Sequence, residues 1–196
     1  AAGFHDEIFL KGSIHELGHG LGLPHLGPRL KQDLGNSLMG PVTRIWEQHR
    51  PGDQRGYLTE GSAAILWKHP LFSGTTKDRS VMPTVALKDY RGRHDRGRNQ
   101  IEIEGRLVSS RAAHSVVIVD DMDEKPGEYW RRAYVGRIAE DGTFQVTVDE
   151  PVPCGGRYLI VFCFDNGIVT GDAEKLGLPG AIEKKYRYVG QTYRFD

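Results

Sequence analysis

The chain has 196 residues, 38% of them hydrophobic, and its acidic and basic side chains balance at 26 each. That length can carry one large packed domain or two small ones, and zero net charge removes the broad electrostatic attraction by which proteins hold nucleic acid. The longest apolar run, Tyr158 to Phe164, is too short to span a bilayer, so neither nucleic acid nor a membrane is an expected partner.

In chain order, the first expected element is a helix. Asp6 is placed to cap it, and Ile8, Phe9, Ile14, Leu17 and Leu21 fall near one apolar stripe. His15 and His19 are four residues apart, about 40° around a helix axis and roughly 6 Å along it, so their rings leave one face and can grip a single metal ion. Glu16 follows the first histidine directly. Its carboxylate then lies beside such a metal rather than on it, where it can take a proton from an activated water. Gly22 can adopt the left-handed conformation that ends a helix and turns the chain, and that turn can return His25 as a third ligand. Three neutral nitrogens leave the fourth tetrahedral position of Zn²⁺ open to water, which is how a catalytic zinc site differs from a closed structural one.

The complete pattern HExxHxxGxxH, carried by SIHELGHGLGLPH from Ser13 to His25, resembles the zinc signature of the metzincin metallopeptidases. The resemblance implies a downstream Met-turn, and NSLMGPV places Met39 fourteen residues after His25 in a Gly-containing loop, where it would lie beneath the ligands. It also implies that Gly40, Pro41 and Val42 line the pocket for the substrate side chain after the cut bond. Thr59 to His69 would be the closing helix of the catalytic domain. Leu26 follows the third histidine, and Pro41 stands where the astacin-like branch carries its tyrosine ligand, so the branch stays open.

Gln32 to Tyr57 is rich in Gly, Pro, Arg and Asp and reads as irregular chain, after which TEGSAAILWKH predicts a second helix with Thr59 as N-cap and Pro70 as its stop. Composition changes near residue 83. Residues 83–99, including the basic run RGRHDRGRN from Arg91 to Asn99, read as a solvated linker. Beyond it the apolar period becomes two, and strands are expected at Ile101–Ser109, Ser115–Asp120, Tyr129–Ile138, Thr143–Asp149, Arg157–Phe164 and Tyr186–Tyr193. Strands at this spacing predict a β-sandwich. RYLIVFCF, apolar on both faces, suits a central strand. Cys154 and Cys163 are separated by a strand-like run, and no disulfide is expected between them.

The loop DDMDE, Asp120 to Glu124, offers oxygen donors for Ca²⁺, although its spacing fits no EF-hand and a solvated acidic turn explains it as well. Tyr129, Trp130 and Tyr134 suit either a sugar-binding platform or core packing. Carbohydrate or protein docking is the usual role of a sandwich appended to a protease.

The expected architecture is therefore α+β: a helical zinc-binding lower subdomain of a metzincin-like protease over residues 1–82, a linker over 83–99, and an antiparallel immunoglobulin-like β-sandwich over 100–196. The expected function is a zinc endopeptidase acting on protein or peptide substrates, with Glu16 as general base. Secretion or an extracellular location is implied by the resemblance alone. The metzincin likeness covers only Phe4 to about Phe72, and the upper subdomain that would precede the zinc helix finds no room in a chain opening with Ala1, so a piece of a longer enzyme is expected. The alternatives are a catalytically incomplete zinc-binding fragment or module, and a zinc hydrolase of non-peptide amides.

Overall fold

The structure, a computed structural model, describes residues 2–27, 29, 36–40, 56–74, 78–123, 130–170 and 180–196, with backbone alone for 2–10, 36 and 56. Helix α1 spans Ala2–Gly20 and so begins ahead of the cap expected at Asp6. Two short strands follow, β1 at Asn36–Ser37 and β2 at Gly56–Tyr57, paired in parallel. Helix α2, Glu60–Leu66, starts where Thr59 accepts a hydrogen bond from the Ser62 amide at 3.2 Å, as an N-cap does. A single turn, α3 at Pro70–Ser73, comes next.

Eight strands complete the chain: β3 Val85–Asp95, β4 Gln100–Ser109, β5 Ala113–Met122, β6 Arg132–Arg137, β7 Thr143–Asp149, β8 Gly156–Phe164, β9 Ile182–Val189 and β10 Thr192–Phe195. They form a five-stranded antiparallel sheet in the order β10-β9-β8-β5-β6 and a three-stranded one in the order β3-β4-β7. The sheets approach each other along both margins, β6 against β7 and β10 against β3. At the second margin the Phe195 ring lies over Gly92, where a Cβ would sit 2.4 Å from the ring. Ile103, Val116, Ile118, Val146, Ile160 and Phe162 fill the space between the sheets.

These contacts correct the expected α+β division into a helical subdomain and a separate immunoglobulin-like sandwich. The chain is mostly β, and the described helical part has no core of its own. Leu23, Leu26, Met39, Ile65 and Leu66 bury themselves against Val117, Val119, Ala133, Val161 and Cys163, which are the outward-facing residues of β5, β6 and β8. Side chains alternate along a strand. Val116 and Ile118 therefore serve the inter-sheet core, and Val117 and Val119 serve the helix layer. Gly61 lets α2 come close, since a Cβ there would meet Ala133 at 2.8 Å and Leu26 at 2.9 Å.

The segment read as a linker holds the longest strand, β3. Its exposure alternates, and Val85, Leu87 and Tyr90 pack onto the inter-sheet core, while a bulge at Asp89, φ 55°, breaks the period between Lys88 and Arg91. Most of the basic run belongs to this strand and its turn, where Asp95 accepts hydrogen bonds from the Gly97 and Arg98 amides. The strand expected over Tyr186–Tyr193 is instead a hairpin. Val189 pairs with Thr192 across Gly190 and Gln191, both with positive φ, which is the two-residue turn that suits the twist of antiparallel strands. Cys154 and Cys163 are buried, and no disulfide joins them.

Asp120 and Asp121, expected in an acidic turn that also offers oxygen donors for Ca²⁺, lie on β5 and are buried. Asp120 accepts a 2.6 Å hydrogen bond from the Tyr186 hydroxyl, and Asp121 holds Arg131 and Arg157, each at 2.8 Å. Their carboxylates serve the fold. Trp130 and Tyr134 are buried too, which removes both rings from an exposed sugar platform; Tyr129 and Glu124 lie outside the described residues.

Candidate metal centre

Helix α1 ends in a hydrogen-bonded turn that Gly22 makes possible. The Leu23 amide donates to Gly18 O at 3.0 Å and the Gly22 amide to His19 O at 2.9 Å, with Gly22 at φ 85°. This pair of bonds around a left-handed residue is the Schellman arrangement, which satisfies carbonyls that a helix end would leave bare. It reverses the chain, so that His25 faces His15 and His19.

The three Nε2 atoms converge. His15 and His19 lie 3.2 Å apart, His15 and His25 3.2 Å, and His19 and His25 3.1 Å. Backbone carbonyls fix two of the rings: His15 Nδ1 donates to Leu38 O at 2.8 Å, and His19 Nδ1 to Leu23 O at 2.9 Å. A carbonyl only accepts, so in each neutral ring the proton sits on Nδ1 and the Nε2 lone pair points inward. Facing lone pairs repel unless a cation lies between them. Nitrogens about 2.0–2.1 Å from a tetrahedral Zn²⁺ stand about 3.3 Å from one another, close to the observed triangle. The donor set fits zinc, and it is the group among the described residues able to hold a metal ion.

Burial, foremost, lowers the pKa of His25 to about 4, with the neighbouring His19 and His15 rings adding to the effect and the Glu16 carboxylate opposing it. A ligand must be neutral, and His25 is held so well below pH 7. Glu16 is exposed beside this cluster on α1.

Met39 is completely buried in the turn at residues 37–40, with its sulfur packed on Gly18, where a Cβ would come within 2.5 Å. The same turn is tied in three directions. Leu38 O accepts the hydrogen bond from His15 Nδ1, the Leu38 amide donates to Tyr57 O at 2.8 Å, and Ser37 Oγ donates to Leu26 O at 2.7 Å. Gly40 is buried and its amide donates to Ser37 O at 3.1 Å. Pro41 and Val42 lie outside the described residues.

The sheets also hold the His25 loop, which the spacing of the motif did not reveal. Leu26 forms a parallel bridge with Arg131, in which the Arg131 amide donates to His25 O at 3.0 Å and the Gly27 amide to Arg131 O at 2.9 Å. Trp130 lies flat on Gly27, where a Cβ would sit 2.0 Å from the ring. These partners are remote in sequence. The visible hint was a pair of acids, Asp120 and Asp121, closing an otherwise apolar strand.

No described helix is long and apolar enough to cross a membrane. No protein-family model and no curated protein matches the chain. Solved structures of OgpA from Akkermansia muciniphila do. The wild-type enzyme in two crystal forms is 21% and 20% identical, with TM-scores of 0.71 and 0.72, and the matches cover 95% and 94% of this chain. A catalytically inactive OgpA in complex with an O-glycopeptide substrate, glycodrosocin, is 19% identical with a TM-score of 0.73 over 95% of this chain. The chain spans about half the length of these structures, 50–51%. At this identity the likeness is one of fold.

Proposed function

We propose that the chain carries the zinc site of a metallopeptidase, with His15, His19 and His25 as the ligands and Glu16 as the general base. One observation supports this most: three Nε2 atoms converge within 3.1–3.2 Å while the Nδ1 protons of His15 and His19 are spent on carbonyls. Zinc bound there would supply Lewis acidity and bring the pKa of a water towards 7. Glu16, adjacent to His15 and exposed, takes the proton of the attacking water and returns it to the leaving amine as the peptide bond breaks. Met39, in its buried turn, serves as the Met-turn that holds His15 through Leu38, and Gly22 directs His25 inward. Gly40, in the same turn, is proposed to line the pocket next to the cut bond.

The substrate class proposed is a peptide, with O-glycopeptides as the first to assay, because the inactive OgpA of the same fold was crystallised with one. A second reading, zinc binding without cleavage by these residues alone, is favoured by Ile14 and Leu17, 40% and 60% exposed on the zinc helix, an apolar surface that a further part of the enzyme would cover. Cleavage of a glycosylated and an unglycosylated copy of one peptide, compared between wild type and Glu16→Ala, decides between them. Glu16-dependent cleavage supports the peptidase reading. Zinc binding without it supports the second.

A further inference from the structure

The histidine cluster is not closed by the helix alone. His15 and His19 are fixed on α1, but His25 follows the helix-ending turn, and a ligand on a loop loses affinity for metal through its freedom to move. Beside the Ser37 bond to Leu26 O, that loop is restrained by the parallel bridge to Arg131, formed by its backbone amide and carbonyl. Arg131 lies immediately before β6, next to the buried Trp130, and its side chain adds a second tie beside that backbone bridge. That side chain is anchored: Nε donates to Asp121 Oδ1 at 2.8 Å, and the other oxygen of Asp121 receives Arg157 Nε at 2.8 Å. Asp121 is 6% exposed near the end of β5, opposite Arg157 on β8, and Arg157 continues to Glu183 on β9.

We propose that Asp121 is a positioning residue for His25, acting through Arg131 to lock the third ligand loop onto the five-stranded sheet. The proposal rests on His25 being a metal ligand. Asp121 touches neither metal nor substrate. Its carboxylate bridges two guanidinium groups, and charge-assisted bonds of this kind on a rigid strand hold a backbone in place better than neutral ones. Trp130, packed on Gly27, presses the same loop from the side. The β-sheet part of the chain is thereby built into the metal site, and removing one charge on β5 loosens a ligand on the opposite side of the Leu26–Arg131 bridge.

The test measures zinc affinity of the full chain by competition with a chromophoric chelator, together with the visible absorption spectrum of the Co²⁺ form. Asp121→Asn and Arg131→Gln are each expected to weaken zinc binding about tenfold or more. The double variant should be no weaker than the worse single one by more than about twofold, since both remove the same link. The Co²⁺ spectrum should shift with them. Val148→Ala, in the inter-sheet core, should lower the denaturation midpoint and leave affinity and spectrum unchanged, which separates positioning from general loss of stability. If Asp121→Asn does not fold, Arg131→Gln, at the more exposed end of the pair, decides alone. A folded variant of either kind with wild-type affinity and spectrum overturns the proposal while leaving the zinc reading intact. A wild-type chain that binds no zinc, or a His25→Ala chain that binds it as wild type does, overturns the zinc reading and the proposal together.

Discussion

His15 donates a 2.8 Å hydrogen bond from Nδ1 to the carbonyl of Leu38, so the first histidine of the α1 cluster and the turn that buries Met39 hold each other in place. The bond sets the tautomer, and the tautomer aims Nε2 at the other two rings. Because the acceptor is a backbone atom, its position depends on how well the turn is packed. Met39→Ala should open a cavity between Gly18 and the sheet and cost about 2–5 kcal/mol, whereas Met39→Leu should cost less than about 1.5 kcal/mol. Chemical denaturation of the metal-free chain measures both. Equal stability of wild type and Met39→Ala would show that the turn is not held by its methionine.

Gly22 sits at φ 85° between two turn-closing bonds. Gly22→Ala forces a side chain into the left-handed region and should destabilise by about 1 kcal/mol or more, with Gly22→Asn milder. Zinc affinity should fall in the same order, because the turn directs His25. Isothermal titration of the three chains tests this ordering.

The elements legible in the sequence were those with an unbroken local signal. SVVIVD and RYLIVFCF are apolar on both faces, and each became a strand buried on both sides, β5 and β8. HELGHGLGLPH brought its three histidines together because helix pitch and one glycine determine where they point. What was not legible depended on partners far along the chain. RYLIVFCF suits a central strand of a sandwich, but its Val161 and Cys163, with Val117 of β5, serve the helix layer, so the described helices share a core with the sheet. Val85–Asp95 looked like linker since its bulge breaks the alternation and its exposed positions carry charge. The clip between Leu26 and Arg131 left no mark in the motif itself, only the acid pair Asp120 and Asp121 far along the chain.

His114, on β5, offers a pH test remote from the histidine cluster. Burial, foremost, lowers its pKa to about 4, with the Lys68 cation adding to the effect and Asp165 opposing it. An unfolded histidine titrates near 6.5. Between these values the unfolded chain binds the extra proton, so stability should be retained above about pH 6.5 and fall as the pH drops towards 4. Urea unfolding from pH 4 to 7 should show a shallower slope for His114→Gln than for wild type. Parallel slopes would mean that His114 takes no part.

Asp120 is buried, and the Tyr186 hydroxyl donates to it at 2.6 Å. Tyr186→Phe removes one donor from a buried carboxylate without altering the ring that packs on Tyr158, and should cost about 1–3 kcal/mol. A thermal denaturation series at neutral pH reads the loss. A variant as stable as wild type would contradict the assignment of this bond to the fold.

The central claim is that three histidines on one turn-terminated helix and its return loop bind a single metal ion. Zinc stoichiometry of the purified chain tests it most directly. The account predicts one equivalent per chain in wild type and in Glu16→Ala, and loss of that equivalent in His15→Ala, His19→Ala and His25→Ala. A wild-type chain without zinc after equilibration, or histidine variants that retain it, would contradict the account.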